Sequence, residues 1–180
     1  MRNALFILGI LNDNDLEWLI ATGRHETIPA GTVLIQEGRP IESVYIVVGG
    51  TFSVSVETFG GQEIARLSSG EIVGEISFVD SRPPSATVRA LEDGQVLSIP
   101  RRQLAAKLKH DPSFAARFYH ALAVFLADRL RSSTYRIEYG PEAMLDEETE
   151  YEDELAPNVL ENVALAGARF DRLLRRLRGE

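Results

Sequence analysis

Gly74 to Ala90, GEISFVDSRPPSATVRA, is the stretch on which the reading of the whole chain turns. Gly74-Glu75 opens a tight turn, where the missing side chain lets backbone come close to a bound molecule. The residues after it predict a short turn of helix whose first N–H groups have no intrahelical acceptor and suit an anion. Arg82, two prolines, the small Ser85 and Ala86, and then a β-strand follow. A carboxylate, a helix start and a guanidinium this close together are the means to hold a sugar hydroxyl and a phosphate at once. Each also has a plainer reading: Glu75 as a cap on the following helix, Arg82 as a surface residue in a turn.

The flanks of this segment read as β-structure from Thr27 to Pro100. Short β-branched runs appear at Val33-Leu34-Ile35, Val44 to Val48, Phe52 to Val56, Ile64 to Leu67, Ala86 to Val88 and Gln95 to Ile99. Turn signals separate them, among them Pro29-Ala30-Gly31, Glu37-Gly38-Arg39-Pro40, Gly49-Gly50, Gly60-Gly61, Ser69-Gly70 and Asp93-Gly94. Many short strands at near-regular spacing mean a sandwich or barrel. Phe52-Ser53-Val54-Ser55-Val56 alternates strictly, as a half-buried strand does.

Helical texture lies on both sides of the barrel. Residues 4–22 read as helical, with Asn12 or Asp13 able to cap and Leu16, Trp18, Leu19 and Ile20 at helical spacing. Ala4 to Leu11 is apolar and follows Arg2, but it is too short for a membrane span and lacks a cleavage site, so a packing helix is expected. Arg101 to Leu108 predicts a short helix. Asp111-Pro112 predicts a cap and a first-turn proline for a long helix ending near Ile137, before Gly140-Pro141. Phe114, Phe118, Leu122, Phe125, Leu126 and Leu130 form its apolar stripe, while Arg117, Arg129, Arg131 and Arg136 read as its wet face. Glu142 to Leu155 is dense in carboxylates and reads as a solvated linker, without the glycine turn of a calcium loop. Pro157 to Leu177 predicts a last amphipathic helix with arginines at its C-terminal end, where cations complement the helix dipole.

Taken together, Gly74 to Ala90 resembles the phosphate-binding cassette of cyclic-nucleotide-binding domains, as found in catabolite-activator-type regulators, kinase regulatory subunits and gated channels. Pro29-Ala30-Gly31, Glu37-Gly38, Tyr45-Ile46-Val47 before Gly49, Gly70 leading to Gly74-Glu75, and Ala86-Thr87-Val88 carry the likeness over roughly residues 5–137. The resemblance implies a mainly β fold with flanking α-helices: a β-roll or jelly-roll barrel over about 25–100, N-terminal helices, a long helix after the barrel and a C-terminal helix. It implies a cyclic-nucleotide-binding-like domain over 1–138, followed by an acidic linker over 139–156 and a C-terminal helix over 157–180. It also implies a cyclic AMP or cyclic GMP ligand. The glutamate matching Glu75 bonds the ribose hydroxyl, and backbone N–H groups matching Ile76 and Ser77 bond the phosphate. The small residue matching Ser85 meets phosphate or purine, and the backbone matching Ala86 faces the phosphate. Gly74 and Arg82 complete the candidate set. One departure stands out: the family's phosphate-binding arginine aligns with Pro84, and Pro83 and Pro84 remove two backbone donors.

The bulk properties narrow the remaining choices. The chain has 180 residues, no cysteine and a formal charge of −8, with mean hydropathy near zero. Zero cysteines exclude disulfides, thiolate metal sites and cysteine nucleophiles, and fit a cytoplasmic location. The acidic balance opposes broad attachment to nucleic acid, and residues 138–180 are too little for a helix-turn-helix, so specific DNA binding is not expected. His25, His110 and His120 share no ligand spacing, and no nucleophile motif or P-loop appears, so neither a metal centre nor an enzyme is expected. The expected function is a regulatory sensor that binds a cyclic nucleotide and signals through its C-terminal helices to an unknown effector protein. The alternative is a repurposed scaffold that does not bind one. The apolar stripe of the long helix predicts a homodimer.

Overall fold

The computed structural model of the protein describes residues 8–139 and 157–178. The acidic stretch read as a linker and the Gly140-Pro141 stop therefore lie outside the described residues. Residues 8–10 are helical, and a separate helix, α1 (Asp13–Thr22), follows. The break falls at Asn12, which closes a capping box: its side chain accepts the Asp15 N–H at 2.9 Å, and its own N–H donates to the Asp15 carboxylate at 2.9 Å. Eight strands come next: β1 (Arg24–Ile28), β2 (Val33–Ile35), β3 (Ser43–Gly49), β4 (Phe52–Val56), β5 (Gln62–Leu67), β6 (Ile72–Val73), β7 (Thr87–Ala90) and β8 (Gly94–Pro100). A short helix, α2 (Glu75–Asp80), separates β6 from β7. After the strands come α3 (Arg101–His110), α4 (Pro112–Tyr139) and α5 (Pro157–Arg178).

The strands form two antiparallel sheets, ordered β1-β8-β3-β6 and β2-β7-β4-β5. The architecture is a mainly β jelly roll with flanking helices. Six strands coincide with the β-branched runs; β1 and β6 do not. β1 (RHETI) has four exposed residues and one buried, so it carries no hydrophobic alternation, and its pairing with β8 alone makes it a strand. β6 is too short to register as a run.

Period-2 alternation divides the interior into two cores. Val47, Phe52, Val54, Val73, Val88 and Val96 fill the space between the sheets. Val44, Ile46 and Val48 of β3, with Leu97 and Ile99 of β8, point the other way and meet the helices. That is why β3 is apolar at nearly every position: both of its faces are covered. The helical core joins Leu8, Leu11, Leu16 and Leu19 to Phe114, Phe118, Leu122 and Phe125 of α4, and to Ala166 and Leu173 of α5. Most of the α4 stripe is thus used within the chain; its distal member, Leu130, is 68% exposed.

The arginine-rich end of α5 finds its partners on α1. Arg169 reaches Asp13 at 2.9 Å and also donates to the carbonyls of Leu8 and Gly9. Arg172 pairs with Asp13 and Glu17, and Arg176 with Glu17.

Candidate ligand-binding site

The site is assembled where β6 turns into α2. Gly74 sits at φ +85°, in the left-handed region, and a Cβ there would lie 2.6 Å from Ile41 Cδ1. The left-handed backbone favours glycine, and a Cβ would in addition push aside the end of the Ile41 side chain. The turn sends Glu75 inward, where it is 2% exposed, with Ser77 at 4%, while Ile76 stays on the outside.

Glu75 is a buried carboxylate with a specific partner. Arg129, from α4, donates through Nη1 to Glu75 Oε1 at 2.9 Å. Burial pushes the Glu75 carboxyl above its ordinary range. The Arg129 charge and hydrogen bonds from the backbone N–H groups of Glu75 and Ile76 offset this only in part. The Ile76 N–H, which the resemblance directs at a ligand phosphate, donates to the carboxylate beside it.

Helix α2 is fastened on its other flank by Arg101, the first residue of α3. Arg101 Nη2 donates to the Ser77 carbonyl at 3.0 Å, and the guanidinium lies 5.8 Å from the centre of the Phe78 ring. Phe78 meets Phe118 of α4 edge-on, with centroids 6.3 Å apart. The cassette is therefore clamped to the first two helices that follow the barrel, α3 and α4.

The second half of the cassette turns outward. Ser81 takes φ +60°, and the Arg82 N–H donates to Asp80 Oδ1 at 3.0 Å. The Arg82 side chain is 84% exposed and leans only loosely on Asp80, at 3.9 Å. Pro84 is buried, and its carbonyl accepts the Gly38 N–H at 2.8 Å. Ser85 is exposed and Ala86 half-buried. Thr87 is buried and its hydroxyl accepts the Glu37 N–H at 3.1 Å, which gives the Glu37-Gly38 pair its role: it anchors the β2–β3 turn to the end of the cassette. Gly74, Glu75, Ile76 and Ser77 thus share one turn, with Ser85 and Ala86 on the strand side of the loop and Arg82 directed to solvent.

Residues 25–111 match the family model described as the cyclic nucleotide-binding domain. These residues belong to the cyclic nucleotide-binding domain family. The chain is 32% identical over 131 residues to an uncharacterised NTE family protein of Mycobacterium tuberculosis, covering 72% of this chain and 22% of that one. It is 32% identical over 112 residues to the cyclic AMP receptor protein of Thermus thermophilus, covering 61% and 50%. The chain thus spans at most half the length of these two curated relatives. Among solved structures, a cyclic nucleotide-binding domain from Methylobacillus flagellatus aligns with a TM-score of 0.66 at 26% identity, covering 71% of this chain and 72% of that one.

Two of the α4 arginines read as its wet face, in the helix that follows the matched cyclic nucleotide-binding domain, are engaged with carboxylates instead. Arg117 and Arg129 are not its wet face: Arg117 holds Asp15, and Arg129 holds Glu75. The signal that would have found Arg129 is its register. Phe118, Leu122, Phe125 and Arg129 follow one another at spacings of four, three and four, so Arg129 continues the apolar stripe, and its guanidinium lies 5.5 Å from the centre of the Phe125 ring. Arg101 carried no such signal. Its place at the start of α3 matters only because α2 packs beside it. The three histidines lie on three different elements, β1, α3 and α4. Among the described residues no group of three or more His, Cys, Asp or Glu is arranged to hold a metal. Among them, too, no helix is long and apolar enough to cross a membrane.

Proposed function

We propose that the protein is a regulatory sensor whose cassette binds cyclic AMP or cyclic GMP and passes the binding event to its C-terminal helices. The observation that carries this reading is the buried carboxylate of Glu75 at a glycine turn. There it is held by a helix that lies outside the barrel but contacts its cassette. A carboxylate so placed accepts hydroxyl hydrogen bonds, and a ligand that engages it must act on α4 at the same time. Gly74, Glu75, Ile76, Ser77, Ser85 and Ala86 line the proposed site, and Arg82 stays at its rim. The Thermus relative is by name a cyclic AMP receptor, which favours cyclic AMP as the first ligand to test. The rest of the reading is a non-enzymatic, cytoplasmic regulator, a homodimer that signals to an effector protein and does not bind duplex DNA specifically.

A second reading has its own observation. Pro84 is buried where the family's cation is expected, and Arg82 points to solvent, so the cassette itself offers a phosphate no guanidinium. A desolvated phosphate lacking one charge-assisted bond loses about tenfold or more in affinity. On this reading the barrel is a scaffold.

Thermal melting separates the two. A ligand bound only by the native state stabilises it by about 2.7 kcal/mol at a hundredfold excess over Kd. Millimolar cyclic AMP or cyclic GMP then raises Tm by several degrees, and Glu75→Ala abolishes the rise. An unchanged melting curve with both nucleotides rejects the sensor in favour of the scaffold.

A further inference from the structure

We propose that Arg129 is the cation that receives the ligand's phosphodiester, so that the long helix α4, rather than the cassette, reads the anion. The proposal rests on the sensor reading above and names the residue that completes its site.

Three observations carry it. The cation placed directly against the buried Glu75 carboxylate is Arg129, at 2.9 Å, and it comes from α4, fifty-four positions along the chain. The cations of the cassette segment make other contacts: the Arg82 side chain lies 84% exposed beside Asp80, and Arg89 donates through Nη1 to the Gly31 carbonyl at 2.7 Å. The Arg129 side chain is 32% exposed, whereas that of Glu75 is 3% exposed, so of the two partners it is the arginine that solvent reaches.

The chemistry follows from that arrangement. A planar guanidinium can serve two oxygen acceptors side by side. A ribose hydroxyl donates to Glu75 while a phosphodiester oxygen accepts from Arg129, and no charge is left buried alone. Glu75 and Arg129 offset each other's charge where they meet. The ligand adds one negative charge, and Arg129 must shift toward it. Because Arg129 stands on the same stripe as Phe125, which is 1% exposed in the core shared with Leu173 of α5, that shift is felt along α4 and under α5.

The test uses isothermal titration of the full chain with cyclic AMP, cyclic GMP and their 2′-deoxy forms. The comparison is wild type against Arg129→Gln and Arg129→Lys. Failure of wild type to bind either nucleotide rejects the sensor reading itself. If wild type binds, Arg129→Gln is expected to weaken the preferred nucleotide at least tenfold and its 2′-deoxy form by the same factor, with Arg129→Lys recovering part of the loss. An effect that disappears with the 2′-deoxy ligand means that Arg129 acts only through Glu75, and overturns the proposal. Equal or tighter binding by Arg129→Gln makes Arg129 a bystander or a competitor for Glu75, and also overturns it. Should Arg129→Gln fail to fold by circular dichroism, Arg129→Lys decides alone: it keeps the charge but not the fork, so a loss confined to the 2′-hydroxyl ligand rejects direct contact.

Discussion

Asp15 of α1 and Arg117 of α4, 102 positions apart, meet in a two-pronged ion pair, Nε to Oδ2 at 2.6 Å and Nη2 to Oδ1 at 2.8 Å. Asp15 is 2% exposed and also closes the Asn12 capping box, so a single carboxylate caps one helix and fastens it to another. Burial raises the Asp15 pKa, but the Arg117 hydrogen bonds and the Asn12 N–H outweigh it, and the carboxyl titrates below its ordinary value.

Asp15→Asn is expected to cost about 2–3 kcal/mol in urea unfolding at neutral pH. This sits below the usual cost of breaking a buried pair, because the Arg117 side chain remains 31% exposed and water takes over part of its charge. A carboxylate with a depressed pKa stabilises above its unfolded pKa and loses that contribution as pH falls through the folded one. The gap between wild type and Asp15→Asn should therefore close as the solution is acidified below the ordinary carboxylate range.

Glu75 has the opposite sign. Burial raises its pKa above the reference value of 4.5, so the folded state binds a proton more readily than the unfolded chain does. The associated stability is fully present below 4.5 and is lost as pH rises through the folded value. Urea midpoints measured upward from that pH should show wild type losing ground to Glu75→Gln. A difference between the two that does not change with pH would contradict the burial argument.

The packing of α5 depends on apolar contact more than on charge. Leu173 is fully buried, whereas the side chains of Arg172 and Arg176 and the carboxylates they meet are at least a third exposed; Arg169 is 13% exposed, but its Asp13 partner is 60% exposed. Exposed ion pairs contribute about 0–1 kcal/mol each and are screened by salt, while Leu→Ala in a core costs about 2–5 kcal/mol. Hydrogen exchange in residues 165–177 should accelerate strongly in Leu173→Ala and only slightly in wild type moved from low to high salt.

Dimerisation is testable at Leu130. The rest of the α4 stripe is consumed by α1, α5 and the sheet, which leaves this exposed leucine to extend the apolar face past the covered region. Light scattering at micromolar concentration is expected to give twice the 20.0 kDa chain mass for wild type, and the chain mass itself for Leu130→Asp. A wild-type particle of 20.0 kDa would reject the dimer.

Much of this fold is local chemistry, and local chemistry is legible. The β-branched runs between glycine turns announce six of the eight strands. Asp111-Pro112 announces α4, with the Phe114 N–H donating to Asp111 Oδ1 at 2.9 Å. Gly74-Glu75 announces the turn that buries a carboxylate, because a backbone at φ +85° favours a residue without Cβ. These features depend on neighbours within a few residues, so spacing and residue type suffice.

Tertiary structure alone decided the rest. β1 is polar and becomes a strand only because β8 offers it a hydrogen-bonding edge. Arg117 and Arg129 look like surface charges until α4 lies across α1 and α2, when each lands on a buried carboxylate. A periodic pattern states which face of a helix is covered. It does not state what covers it, because a charge pair is created by the docking of segments far apart in the chain, and its energy depends on the water that the docking removes.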